Sequence, residues 1–341
     1  MENRMFYIKA TVLLCLTLLQ GCATLAESKI NNALDKQYSQ RANGTDNAVS
    51  ALDFAIDKFC LPQHAFCTEY LIADPIFYEG DPTTKPLRVS LYGKTYFNLH
   101  VVSPKREEVR LELNPPQQRF KGTWVLLHGF SGDKSVMTIN AFALRSLGFQ
   151  VIVPDLQGHG AATGPTAIDG KLDAKIISQL IDLLLAEQQI IGPVYLLGHS
   201  LGANVAAKIS ARRQNITGQV LIAPMHDFSS GLKNYVAQEY SWYYRLLGEQ
   251  QLRQITDTVL QQRNIILQDT AIAPLLTRSN TPTLLIASEQ DSIAPASYFS
   301  HLQSPNLQLH FPERRTHAGL VMFNNQELQL LQDWLQTVVT E

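Results

Sequence analysis

The chain has 341 residues, a formal net charge of −2 and 45% hydrophobic residues. That is enough to bury a large core, in one α/β domain with appendages or in two small domains. A balance so near neutrality leaves no electrostatic footprint for nucleic acid, and past the N-terminus no apolar run approaches the ~20 residues of a membrane-spanning helix.

At the N-terminus, Arg4 and Lys9 precede an apolar stretch from Ala10 to Leu19, which Gln20-Gly21-Cys22 closes. A basic start, a short apolar run and small residues mark an export signal rather than part of the fold. Leu19-Gln20-Gly21-Cys22 resembles the lipobox of bacterial lipoproteins. The resemblance implies a signal peptide at residues 1–21 and a lipid on Cys22 as the mature N-terminus; an ordinary signal peptide or an uncleaved anchor are the alternatives. Ala23 follows, rather than the aspartate of inner-membrane retention, which in a two-membrane bacterium implies a lipid anchor in the outer membrane. Each buried CH₂ contributes about 0.8 kcal/mol, so several acyl chains would hold the protein while its folded body stays in water.

Four cysteines occur in all. Cys15 leaves with the signal and Cys22 takes the lipid. In an oxidising compartment Cys60 and Cys67 are expected to pair across a short loop, the alternative being two independent buried thiols. No Cys-x-x-Cys or His-Glu-x-x-His spacing occurs, so neither a metal nor another cofactor is expected.

From Ala23 to about Gly44 the composition is polar and irregular, as in a tether. Val49, Leu52, Ile56 and Phe59 then follow a helical spacing, which predicts a helix over Asn47–Phe59, although Phe54 falls off the stripe. Residues 22–86 thus read as a tether and N-terminal extension, and residues 87–341 as the main domain. Arg88–Tyr92 and Tyr96–Val102 alternate apolar and polar positions, which predicts an antiparallel pair. Continuous apolar runs follow at Trp124–Leu127, Gln150–Val153, Val194–Leu197, Gln219–Ile222 and Thr283–Ile286. Runs without alternation indicate strands buried on both faces, as in a parallel sheet covered by helices. Helical patterns at Met137–Leu147, Lys175–Glu187 and Leu201–Arg212 separate them, giving a doubly wound α/β architecture, and Gln326–Val338 would close one side. Between Pro224 and Pro282 the text is helical, as at Tyr235–Leu247 and Leu252–Leu267, which predicts a helical cap over about 225–281. Tyr240, Trp242, Tyr243 and Tyr244 make it aromatic, either as packing of cap on core or as the wall of an acyl pocket.

Gly198-His199-Ser200-Leu201-Gly202 sits between the run Val194–Leu197 and the helix from Leu201. Strand, Gly-x-Ser-x-Gly, helix is the arrangement of a nucleophile elbow, a sharp turn that exposes the serine hydroxyl at the end of the strand. Further motifs are Leu127-His128-Gly129-Phe130, Pro154-Asp155-Leu156-Gln157-Gly158-His159-Gly160, Gln290-Asp291-Ser292-Ile293-Ala294-Pro295 and Thr316-His317-Ala318-Gly319. In combination they resemble the α/β-hydrolase superfamily, particularly its monoacylglycerol-lipase and lysophospholipase-like branch, over roughly Leu87 to Glu341.

The resemblance implies an α/β-hydrolase fold, a mostly parallel sheet with helices on both faces and a small helical cap. It also implies Ser200 as nucleophile, His317 as its base and Asp291 as the acid that orients the imidazole, in the chain order of this fold. A serine hydroxyl is a poor nucleophile until a base takes its proton. Glu289 competes for the acid role, but Asp291 fits the Asp-x-x-x-Pro pattern. Asp155 is a weaker rival, usually structural at this position. The oxyanion donors implied are the backbone N–H groups of Leu201 and Phe130. His128, His159 and His199 read as structural, and His64, His100, His226, His301 and His310 show no partner pattern. Arg314 and Arg315 either meet an anionic headgroup or sit on solvated surface.

Together these readings predict a membrane-tethered serine hydrolase of carboxylic esters, with lipid-derived monoacyl esters as substrates. A peptidase or amidase shares the same motifs, and a non-catalytic binding lipoprotein with a hydrolase fold is the reading from another class. An intact Ser, Asp and His argue against the last.

Overall fold

The computed structural model describes residues 23–38, 53–61, 63, 65–76, 87–92, 108–113 and 120–339. The signal sequence, Cys22 and the predicted strand Tyr96–Val102 lie outside the described residues. In chain order the strands are β1 (Ala55–Leu61), β2 (Phe66–Ala73), β3 (Leu87–Tyr92), β4 (Glu108–Leu113), β5 (Thr123–Leu127), β6 (Gln150–Pro154), β7 (Val194–His199), β8 (Ile216–Ile222), β9 (Thr283–Ile286) and β10 (Leu307–His310). Eight of them form one sheet in the order β1-β2-β6-β5-β7-β8-β9-β10. From β6 to β10 all neighbours are parallel. The hairpin β1–β2 joins β6 antiparallel.

Every residue of β5 and of β7 is buried, which is why both read as unbroken apolar runs. Successive side chains leave a strand on opposite faces. Trp124 and Leu126 accordingly enter one core with Leu144, Leu331 and Trp334, so that the helices Thr138–Ser146 and Asn325–Val339 cover that face. Val125 and Leu127 enter the other with Ile177, Leu180, Ala206 and Ile209, covered by Lys171–Ala186 and Leu201–Arg212.

Three sequence expectations stand differently in the structure. The predicted helix Asn47–Phe59 is instead, where described, the edge strand β1. Its helical spacing is overridden by the ladder to β2, in which Cys60 faces Cys67, and a disulfide joins the two. Asp57 and Lys58 on β1 suit an edge that must not recruit further strands. The segment read as an appendage therefore supplies two strands of the main sheet. Second, among the described residues β3 pairs with β4, a partner the alternation did not indicate, while the partner it predicted, Tyr96–Val102, lies outside those residues. Third, the expected tether is a helix over residues 23–35. Ala26, Ile30 and Leu34 recur at a spacing of four and pack on Phe228, Ile255, Val259 and Leu260, so one narrow apolar stripe suffices.

Those partners belong to the region between β8 and β9. It contains the helices Phe228–Glu239 and Ser241–Gln262, the second broken at Gly248, and two short helical turns. Arg263 ties the N-terminal helix down, donating to Asn31 Oδ1 at 3.1 Å and to Asp35 Oδ1 at 2.8 Å.

Candidate active site

The turn from β7 into the helix Leu201–Arg212 holds Ser200 at φ 53° and ψ −117°, the left-handed side of backbone space that a non-glycine residue rarely adopts. The turn also presses against the end of β5. A Cβ on Gly202 would lie 2.1 Å from the Leu127 carbonyl oxygen, so only glycine fits there. Ser200 N–H donates to the Ile222 carbonyl at 2.9 Å, which fixes the elbow to β8 as well.

Two loops meet the Ser200 hydroxyl. The loop after β10 carries His317, whose Nε2 lies 2.9 Å from Ser200 Oγ. The loop after β9 carries Asp291, whose Oδ2 accepts from His317 Nδ1 at 2.7 Å. Asp291 is fully buried, and its other oxygen accepts from the backbone N–H groups of Ile293 and Ala294, both at 2.9 Å. Burial alone would push its carboxyl up. The facing imidazole and the two amides outweigh that and hold it below the ordinary carboxylate value. With Nδ1–H donated to Asp291, the proton-free Nε2 faces the serine hydroxyl. Glu289 is exposed, and Asp155 lies in another network, so neither meets the imidazole.

The supports of this chain are buried histidines and ion pairs. His199 Nε2–H donates to the His317 carbonyl at 2.9 Å, and burial holds its pKa down at about 3. His128 accepts from Leu156 N–H at 2.9 Å, and burial lowers it to about 4. His159 accepts from Ser131 N–H at 3.0 Å, with burial first and then the neighbouring His128 lowering it to about 3. All three are neutral struts between loops at neutral pH. Asp155 binds the Lys134 ammonium at 2.7 Å in the interior and accepts from Ala161 N–H at 2.8 Å, tying the loop after β5 to the loop after β6. His226, for which the sequence suggested no partner, meets Asp227 at 2.7 Å. Burial opposes ionisation of Asp227, but His226 and the Ser230 donors bring it down to about 2, and it caps the helix Phe228–Glu239.

Arg315 was expected at the surface, bare or against a headgroup, and is neither. It is buried, paired with buried Glu327, and donates to the Gly319 and Met322 carbonyls. Glu327 is in the first turn of the helix Asn325–Val339, so the pair fastens the His317 loop to that helix. No local sequence signal marks it, because the partners meet only when the helix docks. Arg314 is exposed. Removing one partner of a buried pair leaves an uncompensated charge, at a cost of about 3–5 kcal/mol. Arg315→Met should therefore lower unfolding stability by that amount in urea titration, and Arg315→Met with Glu327→Leu should recover much of it.

Of the oxyanion donors inferred from resemblance, one adjoins the serine in sequence and the other follows a glycine packed on the elbow. Leu201 follows it directly. Gly129 packs so closely on the elbow that a Cβ there would lie 3.2 Å from Ser200 Cβ, which brings the next residue, Phe130, to the same place. Phe130 itself is 41% exposed. On the other side the helix Phe228–Glu239 crosses the Asp291 turn, Asn234 donating to the Ile293 carbonyl at 2.9 Å and to the Tyr298 hydroxyl at 2.8 Å. Tyr235 and Tyr240 of this region are exposed and in edge contact, 6.2 Å between centroids. Trp242 is 68% exposed, which is not packing of cap on core.

Residues 118–270 match the sequence family described as serine aminopeptidase, S33. No curated protein sequence matches the chain. Among solved structures, a membrane phospholipase A described as a bacterial virulence factor is similar at 15% identity and a TM-score of 0.54, over 100% of both chains. An esterase of Pyrococcus furiosus is similar at 15% identity and a TM-score of 0.52, over 78% of this chain and 98% of its own. A 2,6-dihydroxy-pseudo-oxynicotine hydrolase is similar at 15% identity and a TM-score of 0.54, over 87% of this chain and 72% of its own. The fold of this chain is the α/β-hydrolase fold. Such diverse relatives share it that it names no substrate.

Proposed function

We propose that this chain is a serine hydrolase that cleaves carboxylic esters through an acyl-enzyme on Ser200. The observation that carries the reading is the unbroken chain Ser200 Oγ, His317 Nε2, His317 Nδ1, Asp291 Oδ2 at 2.9 and 2.7 Å on a strained elbow. Ser200 Oγ attacks the ester carbonyl as His317 Nε2 takes its proton. The C=O π pair moves onto oxygen, where the Leu201 and Phe130 amides receive the charge. Collapse breaks the bond to the alkoxide, which leaves with the proton from His317. Water then attacks the acyl-enzyme by the same route, freeing the carboxylic acid and Ser200. Asp291 holds the imidazole in the required tautomer and stabilises the imidazolium; it does not take the proton.

Lipid-derived monoacyl esters are the substrates that suit the exposed aromatic groups around the site, Phe130, Tyr235 and Tyr240. The neighbours described as a phospholipase and an esterase are consistent with that class. The second reading, an amidase or peptidase, is favoured by the match to serine aminopeptidases over residues 118–270. Turnover of p-nitrophenyl esters, lysophospholipids, monoacylglycerols and aminoacyl anilides by the purified protein decides between them. Preference for monoacyl lipids supports the proposal; cleavage of anilides alone would replace it with the second reading.

We also propose that the chain is tethered to the outer membrane through a lipid on Cys22. The support is the charged start, the short apolar run and Leu19-Gln20-Gly21-Cys22. Mass spectrometry of the mature N-terminus should show an acylated Cys22, and cleavage at another bond would refute the anchor.

A further inference from the structure

We infer that Tyr38, which precedes the main sheet in sequence, is a positioning residue for the oxyanion loop. The inference rests on the serine hydrolase reading, with Phe130 N–H as a donor to the oxyanion. Tyr38 is joined to the loop after β6 as a strand residue would be. Its N–H donates to the Gly158 carbonyl at 3.0 Å, and its carbonyl accepts from Gly160 N–H at 2.6 Å, a parallel bridge across His159. The ring stacks on the His159 imidazole, 5.2 Å between centroids and 13° between planes. It also meets the Phe130 ring, edge-on at 5.1 Å and 68°, and Lys36 Nζ lies 5.4 Å from its centroid. His159 completes the socket, edge-on to Phe130 at 5.7 Å, while its Nε2 accepts from Ser131 N–H at 3.0 Å.

The residues on either side of Phe130 are thus fixed, Gly129 against the elbow and Ser131 by His159. The side chain of Phe130 is 41% exposed, so burial in a core does not orient it; the Tyr38 and His159 rings do. An oxyanion donor is effective only if it is aimed where charge develops, and losing one costs about 10²–10³ in kcat. Tyr38 itself touches no reacting atom. The Tyr38 hydroxyl donates to the Ala33 carbonyl at 2.9 Å, inside its own segment, so the ring and the backbone carry the effect. Because the helix over residues 23–35 is pinned to the cap by Arg263, the segment works as a strap from cap to oxyanion loop.

The test compares wild type, Tyr38→Ala, Tyr38→Phe and Phe130→Ala on a p-nitrophenyl ester. Rates are expressed per active site counted with a fluorophosphonate, which removes any loss of folded protein from the comparison. Tyr38→Ala should lower kcat about 10- to 100-fold, within the range of an impaired donor, and change KM little. Tyr38→Phe should restore kcat. An alkyl trifluoromethyl ketone, which forms a tetrahedral adduct bearing the oxyanion, should bind Tyr38→Ala more weakly by the same factor. Phe130→Ala keeps the amide but loses the socket contact, so it should show the same split even if Tyr38→Ala does not fold. Unchanged kcat per site and unchanged ketone affinity in both alanine variants would overturn the inference alone. A wild-type protein inert to both ester and fluorophosphonate would overturn the hydrolase reading and this inference with it.

Discussion

Replacing Ser200 with alanine should lower ester turnover by about a millionfold, the loss found when a member of such a unit is removed from a serine hydrolase. The attacking atom is gone, whereas the Leu201 and Phe130 amides are backbone groups that the substitution leaves in place. A residual rate about 10³–10⁴ above water should therefore survive from those donors and from binding. His317→Ala should be nearly as damaging, since among the described residues His317 is the base that bonds the hydroxyl. The double variant should be little worse than either single one, because neither member works without the other. Initial rates at saturating ester, on protein with wild-type circular dichroism, measure all three.

Asp291→Asn should lower kcat about 10⁴-fold while leaving the fold intact. The carboxamide keeps an oxygen for the Ile293 and Ala294 amides but can present an N–H to His317 Nδ1, which forces the proton onto the nitrogen that must accept from Ser200. Asp291 has a depressed pKa, so the stability it contributes is present above the unfolded value of about 3.9 and is lost only as pH falls through the lower folded value. It stays ionised through the neutral range. Near-normal kcat in Asp291→Asn would take the acid role from Asp291.

What could be read from the sequence was what local chemistry determines. β7 is buried on both faces and so had to be an apolar run, and the elbow after it needs glycine at Gly202 because a carbonyl stands where a Cβ would be. His317 and Asp291 were found from chain order and motif, and the structure brings both to Ser200. The supports were not legible, for a common reason. Arg315 and Glu327 are ordinary surface residues in isolation and become a buried brace only when the helix Asn325–Val339 packs on the sheet. β2 forms against β6, so that Leu71 opposes Val153, a pairing no local window contains. Tyr38 sits in text that reads as a polar tether, because its partners His159 and Phe130 lie far along the chain. Local periodicity over Asn47–Phe59 even pointed to the wrong element, since four spaced apolar residues satisfy a helix and β1 was decided by its partner strand.

Covalent trapping measures whether His317 activates Ser200 as a nucleophile, without any choice of substrate. Wild type, His317→Ala and Ser200→Ala would be treated with a fluorophosphonate and the modified peptide mapped by mass spectrometry. The expected result is one adduct per chain on Ser200 in the wild type, greatly slowed modification in His317→Ala, and none in Ser200→Ala. An adduct on another residue, or equal labelling of wild type and Ser200→Ala, would contradict it.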